Sequence, residues 1–387
     1  MKPEHAPVRT RRVYYLSGFD PRGARFYHRL YANEARRQAE RLGYAVEVGR
    51  REARGGHACW QVDATWPDGQ SVQADYVFLG WDDIVRQHWV RSSWRLVATA
   101  VVSYSRYVRV GAFARLLRSH RGALYSGLFP VVYLALWLAA LVGALALGGA
   151  AGSVLMPGAV GGLLGTALAG AGALVGGAAV AKRLGVFWLL RTYLFVERWG
   201  VKGCPELEAR IDHFAEQIVR TQREQPTDDV LLVGHSVGAL IAAAVAEKLL
   251  RQPADAVAGV TLLTLGQCVP LLAFIPQAAP YRQQVVALAE DGRIPWFDVT
   301  AKVDPLCFHA MNPAQVCEAP DDAPGRAVMH NARFFRMFRP DTYRRLRRDK
   351  LRLHFQYLMS SELDAGYDYF QLTAGPRPAR EVLEPSA

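Results

Sequence analysis

Charged residues are missing from a long stretch in the middle of the chain. Residues 122–181 are sixty consecutive positions without Asp, Glu, Lys or Arg. A helix needs about 20 apolar residues to cross the hydrocarbon core of a bilayer. The stretch therefore predicts a transmembrane hairpin, with spans at 123–147 and 154–181 and a turn of small residues at 148–153.

The second predicted span is rich in glycine at a spacing that lets helices approach closely. The pairs Gly161/Gly165 and Gly172/Gly176 are each four residues apart, as in membrane helices that pack through small residues. A helical hairpin buried inside a soluble protein is the alternative. Its weakness is length, because buried core helices seldom run uncharged for so long.

Cysteine is also scarce, and no secretion signal is expected. The five cysteines are odd in number, scattered, and not spaced as metal ligands: Cys59, Cys204, Cys268, Cys307 and Cys317. This pattern suits a reducing compartment and argues against a disulfide framework or a structural zinc site, so we expect no metal. Residues 1–12 are polar and basic and contain no apolar signal-peptide stretch.

The chain lacks any nucleic-acid-binding motif, although its formal net charge is +11. Basic residues are concentrated beside the uncharged stretch and at 344–352, so anionic lipid head groups are the expected partner and nucleic acid is not. The positive-inside rule places both flanks of the hairpin in the cytoplasm. We therefore expect a two-helix protein of the inner (cytoplasmic) membrane, with its catalytic domain and both termini facing the cytoplasm. The basic residues that determine this orientation are Arg106, Arg109, Arg115, Arg118 and Arg121 before the stretch and Lys182, Arg183, Arg191, Arg198 and Lys202 after it.

Strand-like and helix-like segments alternate on both sides of the stretch, which predicts an α/β protein with a mostly parallel sheet. Residues 1–80 and 182–374 are predicted to form the two parts of one domain. Between them lie amphipathic, membrane-proximal helices at 81–121 and the hairpin at 122–181. Residues 375–387 contain three prolines and are predicted to be disordered. The predicted strands are 13–17, 44–48, 57–66, 76–79, 229–233, 256–265 and 296–301, and the predicted helices are 24–42, 205–224, 239–250 and 281–290.

The pentapeptide Gly234-His235-Ser236-Val237-Gly238 joins a buried strand directly to a helix. A serine hydroxyl is a poor nucleophile unless a base removes its proton and a carboxylate orients that base. The small residues around Ser236 permit a sharp turn that presents the hydroxyl at a helix N-terminus, where the Val237 N–H would face a developing oxyanion. Such pentapeptides also occur by chance in glycine-rich chains, but the strand and helix flanks favour the catalytic interpretation.

This segment resembles the nucleophile elbow of the α/β-hydrolase superfamily, which includes lipases and esterases. The resemblance covers roughly residues 10–80 and 200–360, with the membrane stretch as an insertion. It implies an α/β-hydrolase fold, no metal or organic cofactor, and a supporting role for His235. It also implies a second oxyanion donor in the loop after an early strand, the N–H of Phe19 or that of Asp20. Residues 17–20 contain Gly18, but serine precedes it where the superfamily often has histidine. The alternative is that this loop is a glycine turn that serves only packing.

Superfamily members carry the acid and then the histidine after the serine. Asp304 follows the strand at 296–301, whereas the competing Asp298 lies inside that strand and would face a packed side. His354 resembles the late histidines of lipases, and His330 is the alternative base. His309 is too near the acid loop.

We therefore expect a membrane-anchored serine hydrolase that cleaves an ester or thioester through an acyl-Ser236 intermediate, with Asp304 and His354 completing a triad. Its location favours a lipid-like substrate. Two alternatives remain: a catalytically inactive hydrolase-fold scaffold in the membrane, and an acyltransferase that uses the same serine.

Overall fold

Nine strands form one sheet within residues 7–119, 121–364 and 366–384, which the computed structural model describes. The order across the sheet is β2-β4-β5-β1-β6-β7-β8-β9, and β3 pairs with β4. Neighbours from β5 to β9 run parallel, while the pairs made by β4 are antiparallel. The predicted mostly parallel sheet is confirmed. The strands are β1 (Thr10–Leu16), β2 (Ala45–Val48), β3 (Glu52–Arg54), β4 (His57–Thr65), β5 (Ser71–Phe78), β6 (Asp229–His235), β7 (Val260–Leu265), β8 (Trp296–Thr300) and β9 (Val328–Asn331).

Helices cover the sheet and form the segment between its two parts. They are α1 (Gly23–Leu42), α2 (Asp82–Gln87), α3 (Ser93–Arg109), α4 (Ala112–Ser119), α5 (Arg121–Leu155), α6 (Ala159–Arg183), α7 (Val186–Lys202), α8 (Pro205–Glu224), α9 (Val237–Leu250), α10 (Ala254–Val257), α11 (Val269–Ala273), α12 (Ala279–Asp291), α13 (Pro313–Val316), α14 (Phe334–Met337), α15 (Pro340–Leu346), α16 (Lys350–Phe355), α17 (Tyr369–Ala374) and α18 (Ala379–Leu383). Short 3₁₀ turns lie at Pro276–Ala278 and Gln356–Leu358.

The central strand β6 is buried along its whole length. Its side chains alternate between two hydrophobic cores: Val230 and Leu232 belong to the core beneath α8, α9 and α12, and Leu231 and Val233 to the core beneath α1 and α17. A parallel strand with both faces covered has an uninterrupted apolar sequence. The position of β6 could be predicted for this reason.

Two strands were not predicted. The edge strand β9 carries His330 and pairs with β8 through a short, half-exposed segment without apolar alternation. The three residues of β3 are all exposed. Neither segment has the pattern that a buried sheet face imposes on a sequence.

The uncharged stretch forms a hairpin of two helices that are long and apolar enough to span a membrane, Gly127–Leu155 within α5 and Ala159–Arg183. Almost none of their most apolar windows is buried against the protein. Leu147 and Leu163, for example, are 74% and 70% exposed. A helix in a soluble core would be mostly buried, so the hairpin is not a core element of the sheet domain.

The predicted turn at 148–153 is wrong, because these residues continue α5 and the chain reverses at 156–158. The small residues instead form the contact between the helices. A Cβ atom on Gly148 or Gly152 would collide with the backbone carbonyls of Gly165 or Gly161, and the converse holds. Close approach of two helices required the glycines that looked like turn formers.

Gly172 and Gly176 do not take part in this contact. A Cβ atom on either would meet no heavy atom within 4 Å. The interpretation of these two residues as a close-packing pair is therefore wrong. Their neighbour Gly177 does face α5, because a Cβ atom there would collide with the Trp137 ring.

Most of residues 81–119 are helical, in α2, α3 and α4, and α3 is amphipathic. Leu96 and Ala100 of α3 pack with Leu190 and Leu194 of α7, while Trp94 on the opposite side is exposed. Helix α7 was not assigned from the sequence. It is largely buried and leads the chain from the hairpin back to the sheet domain.

The expectation of a disordered tail at 375–387 is wrong for residues 375–384, and residues 385–387 lie outside the described part. Helix α18 is anchored by Ala379 and Leu383, which are buried. The buried Arg11 side chain donates hydrogen bonds to the carbonyls of Gly375 and Arg377, at 2.9 and 2.7 Å. These contacts cannot be seen in the proline content of the segment.

The glycine contact makes a prediction about the hairpin. Gly165→Ala should lower the thermal stability of the detergent-solubilised protein, because the added Cβ would force α5 and α6 apart, at a cost of about 1–3 kcal/mol for an overpacked site. Gly172→Ala is the matched control and should be neutral or slightly stabilising, since alanine favours helix and nothing lies near that position. Equal melting temperatures for the two variants would contradict the assigned interface.

Candidate active site

Ser236 occupies a sharp turn between β6 and α9. Its backbone has φ 58° and ψ −122°, a region that residues other than glycine rarely adopt and that costs about 1–3 kcal/mol. The Ser236 N–H donates to the Leu265 carbonyl at 2.9 Å, and the Ser236 carbonyl accepts from Ala239 N–H at 3.0 Å. The side chain thus stands at the carboxyl edge of the sheet, at the start of a helix.

The two glycines of the pentapeptide are required by packing. A Cβ atom on Gly234 would collide with the backbone of Gly238 and Ala239, and one on Gly238 would collide with the carbonyls of Leu16 and Ser17. The first turn of α9 therefore lies directly against the end of β1. Small residues on each side of Ser236 are what the sharp turn needs.

Asp304 and His354 form a buried pair. The His354 Nδ1 and Asp304 Oδ2 atoms are 2.8 Å apart, and both side chains are inaccessible to solvent. Asp304 also accepts from the Tyr357 hydroxyl at 3.0 Å and from the Leu306 N–H at 2.9 Å. Burial alone would raise the pKa of Asp304, but His354 and these hydrogen bonds outweigh it and lower the pKa below the usual value.

The bond to ionised Asp304 determines the tautomer of His354. Nδ1 carries the proton that it donates, so Nε2 is left as an acceptor. Nε2 is buried and has no hydrogen-bond partner within the described residues, Ser236 included. A Cβ atom on Gly266 would lie 3.2 Å from His354 Cε1, and Gly266 follows the Leu265 carbonyl that holds the Ser236 N–H. The imidazole and Ser236 therefore both border the end of β7.

His235 connects the elbow to the histidine. Its Nε2 lies 2.9 Å from the His354 carbonyl, and the two rings are 4.8 Å apart between centroids. Burial, together with the proximity of His354, lowers the pKa of His235 to about 3. The ring is therefore neutral and donates to that carbonyl, which suits a supporting part rather than that of a base.

The loop at 17–20 lies beside Ser236. A Cβ atom on Gly18 would be 3.0 Å from Ser236 Cβ and 3.4 Å from Oγ. The Phe19 ring is buried and stacks on Phe195 at 4.7 Å, and the Phe19 carbonyl accepts from Trp188 Nε1 at 3.0 Å. The N–H groups of Phe19 and Val237 make no hydrogen bond within the described part of the chain. Both are therefore free to bind an anionic oxygen.

The alternative acid and base lie elsewhere. Asp298 is fully buried in β8 and accepts from the Thr264 hydroxyl at 2.5 Å, and burial raises its pKa to about 8. His330 lies on β9 with its ring 5.9 Å from that of Phe297, and burial lowers its pKa. His309 Nδ1 lies 3.1 Å from the Thr300 hydroxyl. It is His354 that Asp304 contacts.

Two residues near the site escaped the sequence analysis. Tyr357 donates to Asp304 and also accepts from the Ala301 N–H at 2.9 Å. It follows His354 by three residues, about one helical turn, and this spacing could have suggested it. Trp188 holds the Phe19 carbonyl from 169 residues away in the sequence, and no local signal reveals such a contact.

One group of side chains in the described residues could hold a metal ion. The ligand atoms of His88, Cys204 and Glu206 lie within 4.8 Å of one another. His88 Nε2 and Glu206 Oε1 are 2.7 Å apart, closer than the roughly 3.3 Å between two such ligands on tetrahedral zinc. The pair would have to open to admit an ion, and it lies outside the Ser236 site. The expectation of a metal-free catalytic site stays a prediction.

The arrangement has the parts that acyl transfer requires: a hydroxyl on a strained turn, a buried carboxylate–imidazole pair, and free N–H groups beside the hydroxyl. No family model, curated protein or solved structure matches this chain.

The buried carboxyl of Asp298 predicts a pH-dependent stability. Its folded pKa lies above the unfolded value of about 3.9, so between these values the unfolded chain binds fewer protons and the free energy of unfolding falls as pH rises. Asp298→Asn removes this titration. From pH 5 to 8 the free energy of unfolding of the Asp298→Asn variant, relative to that of the natural protein, should increase by about 3–4 kcal/mol. The slope is about 1.4 kcal/mol per pH unit.

Urea unfolding of the detergent-solubilised protein at several pH values measures this change. The control is Asp321→Asn, which removes a carboxylate that is 83% exposed and should not alter the pH dependence. An Asp298→Asn effect of the same size at pH 5 and pH 8 would show that Asp298 is ionised in the folded protein.

Proposed function

We propose that this chain is a membrane-anchored serine hydrolase of the α/β-hydrolase type that cleaves a carboxylic ester or thioester. The observation that carries the proposal is the buried 2.8 Å hydrogen bond between Asp304 and His354, beside the positive-φ turn of Ser236. An unpaired carboxylate or imidazole is costly to bury, and a structural pair does not need a strained serine next to it.

In the first step His354 acts as general base. The Nδ1–H of His354 donates to Asp304, so Nε2 is unprotonated and can act as the base. Nε2 removes the Ser236 hydroxyl proton as Oγ forms a bond to the substrate carbonyl carbon. The carbonyl π electrons move onto the oxygen, and the imidazolium is stabilised by Asp304. Nε2 and Oγ are not hydrogen-bonded here. Such contacts are often long without substrate and shorten when it binds.

The negative oxygen is bound by the N–H groups of Val237 and Phe19. Val237 is the first residue of α9, where unpaired N–H groups and the helix dipole favour an anion. Gly18 brings the second donor close because it has no side chain to keep the loop away from Ser236. Removal of one such donor typically costs about 100–1,000-fold in kcat.

The intermediate collapses when His354 gives its proton to the leaving alcohol or thiol, which breaks the ester or thioester bond and leaves an acyl-Ser236. A water molecule then loses a proton to Nε2 and attacks the acyl carbon. The proton returns to Ser236 Oγ as the carboxylic acid leaves. An acyltransferase would replace water with another alcohol or amine, and product analysis with added acceptors separates the two reactions.

The topology supports the proposed superfamily. Ser236, Asp304 and His354 occur in the chain order of α/β-hydrolases, and they follow β6, β8 and β9 of a mostly parallel sheet. The carboxyl ends of parallel strands are where such sheets bind ligands.

We further propose that α5 and α6 cross the cytoplasmic membrane, with the sheet domain on the cytoplasmic side. The exposed apolar faces of the hairpin support insertion, because a monomeric soluble protein rarely exposes so large an apolar patch. Basic residues on both flanks support the orientation.

One observation favours the alternative of an inactive scaffold. Ser236 is only 5% exposed, and its hydroxyl makes no bond to His354. Access to Ser236 therefore requires side-chain movement, and an enzyme and a scaffold differ in whether that movement occurs.

Labelling with a fluorophosphonate probe tests the proposed chemistry. The solubilised protein should label, and Ser236→Ala should not. Asp304→Asn should reduce the labelling rate by about 10⁴-fold because the imidazole tautomer is lost, and His354→Ala should reduce it at least as much. His330→Ala is the matched control and should label normally. A folded protein that never labels would establish the scaffold alternative.

Cysteine labelling tests the orientation. The five natural cysteines are buried, so an added cysteine dominates the signal. In spheroplasts, a membrane-impermeant maleimide should label Met156→Cys at the hairpin tip but not Lys202→Cys, because only the tip would face outward. Permeabilisation should expose both. Immediate labelling of Lys202→Cys would overturn the orientation.

A further inference from the structure

A cavity of about 470 Å³ lies between the base of the hairpin and the loop after β1. We propose that it admits a membrane lipid ester with an anionic head group and guides its carbonyl towards Ser236. This inference rests on the proposed hydrolase function, and it adds the substrate class and the route of access. The volume is within the range of about 300–1,000 Å³ typical of ligand pockets.

The walls of the cavity come from both the hairpin and the sheet domain. Ala178, Ala181 and Lys182 belong to the end of α6, and Phe187 and Trp188 to α7. Asp20, Pro21 and Arg22 provide the loop, and Leu351 comes from the helix that carries His354. A ligand in this cavity would touch the membrane segment and the catalytic domain together.

The loop at 17–20 lies between the cavity and Ser236 and borders both. Asp20 lines the cavity, and two residues earlier Gly18 contacts Ser236, where a Cβ atom would lie 3.4 Å from Oγ. On the other side Leu351 precedes His354 by three residues. The cavity therefore lies next to the two elements that carry the proposed oxyanion donor and base.

The charges around the cavity favour an anion. Within the described residues neither Lys182 nor Arg191 forms an ion pair with a carboxylate. Arg191 donates to the carbonyls of Val90 and Phe187 at 2.8 and 2.9 Å. The one acidic residue of the lining, Asp20, is paired with Arg22. A phosphate or carboxylate would meet two positive charges without a competing anion.

The position of Lys182 gives the depth of the cavity in the proposed membrane. Lys182 ends the uncharged stretch, so it would lie at the head-group layer, and Ala178 would lie about one turn deeper. Trp89, Phe187 and Trp188 add aromatic wall to the cavity beside the two cations. A lining that combines cations with apolar rings suits the head group and acyl chain of a lipid that enters from the cytoplasmic leaflet.

Photocrosslinking tests occupancy without requiring catalysis. The Ser236→Ala protein is placed in nanodiscs with phosphatidylglycerol that carries a diazirine in its acyl chain. We expect crosslinks in residues 178–191 and 20–22, which excess unlabelled phosphatidylglycerol reduces more than phosphatidylcholine does. Ala178→Trp should fill part of the cavity and abolish them. Ala179→Trp, an exposed neighbour outside the lining, should not.

Kinetics test the charge preference in the natural protein. Lys182→Gln should reduce kcat/KM for phosphatidylglycerol by about tenfold relative to phosphatidylcholine, the size expected for one charge-assisted contact. Arg183→Gln removes a charge at the same depth but outside the cavity, and should leave the ratio unchanged. Arg191→Lys keeps its charge and should preserve the ratio.

The two experiments separate the failure of this inference from that of the proposed function. The cavity assignment would be overturned by three results together. The protein would hydrolyse a soluble short-chain ester, Ala178→Trp and Lys182→Gln would not change lipid hydrolysis, and no crosslinks would form in the named segments. Crosslinks in those segments without hydrolysis of any ester would support lipid binding there and overturn the hydrolase proposal.

Discussion

The backbone turn at Ser236 is the constraint on which the candidate site depends. A non-glycine residue at φ 58° is unfavourable, so the surrounding structure must hold it. Thirteen of the 14 residues of α9 are buried, and the absence of side chains at Gly234 and Gly238 lets that helix approach β1. The burial of α9 offsets the strain, and the strain directs the hydroxyl out of the sheet edge.

The electrostatics of the site show how hydrogen bonding determines protonation in a buried place. Asp298 and Asp304 are six residues apart and both are buried. Asp304 accepts from three donors and its pKa is lowered, whereas Asp298 has Thr264 as its side-chain donor and its pKa rises to about 8. Burial is therefore not what distinguishes the two carboxyls. The donors from His354, Tyr357 and the Leu306 N–H keep Asp304 ionised and able to orient an imidazole.

Local patterns in the sequence predicted local structure well. Helix α8 begins and ends where its apolar spacing indicated, and the strand, turn and helix around Ser236 followed from an apolar run beside small residues. Features that depend on distant partners were missed: the contact of Trp188 with Phe19 and the grouping of His88 with Cys204. The hairpin turn was misplaced because glycine suits both turns and helix contacts. The proximity of Asp304 and His354 followed from chain order and resemblance, while their catalytic roles stay predictions.

The insertion of the hairpin into the sheet domain has a mechanical consequence. Helix α7 leads from the hairpin to the sheet domain, and its Trp188 donates to the Phe19 carbonyl. That carbonyl and the Asp20 N–H belong to one planar peptide group, so the hydrogen bond orients the alternative oxyanion donor. The Asp20 side chain holds the same loop through Arg22 and Tyr27. A shift of α6 would reach this peptide through the first turn of α7, so the loop beside Ser236 has the geometry to respond to movement of the hairpin.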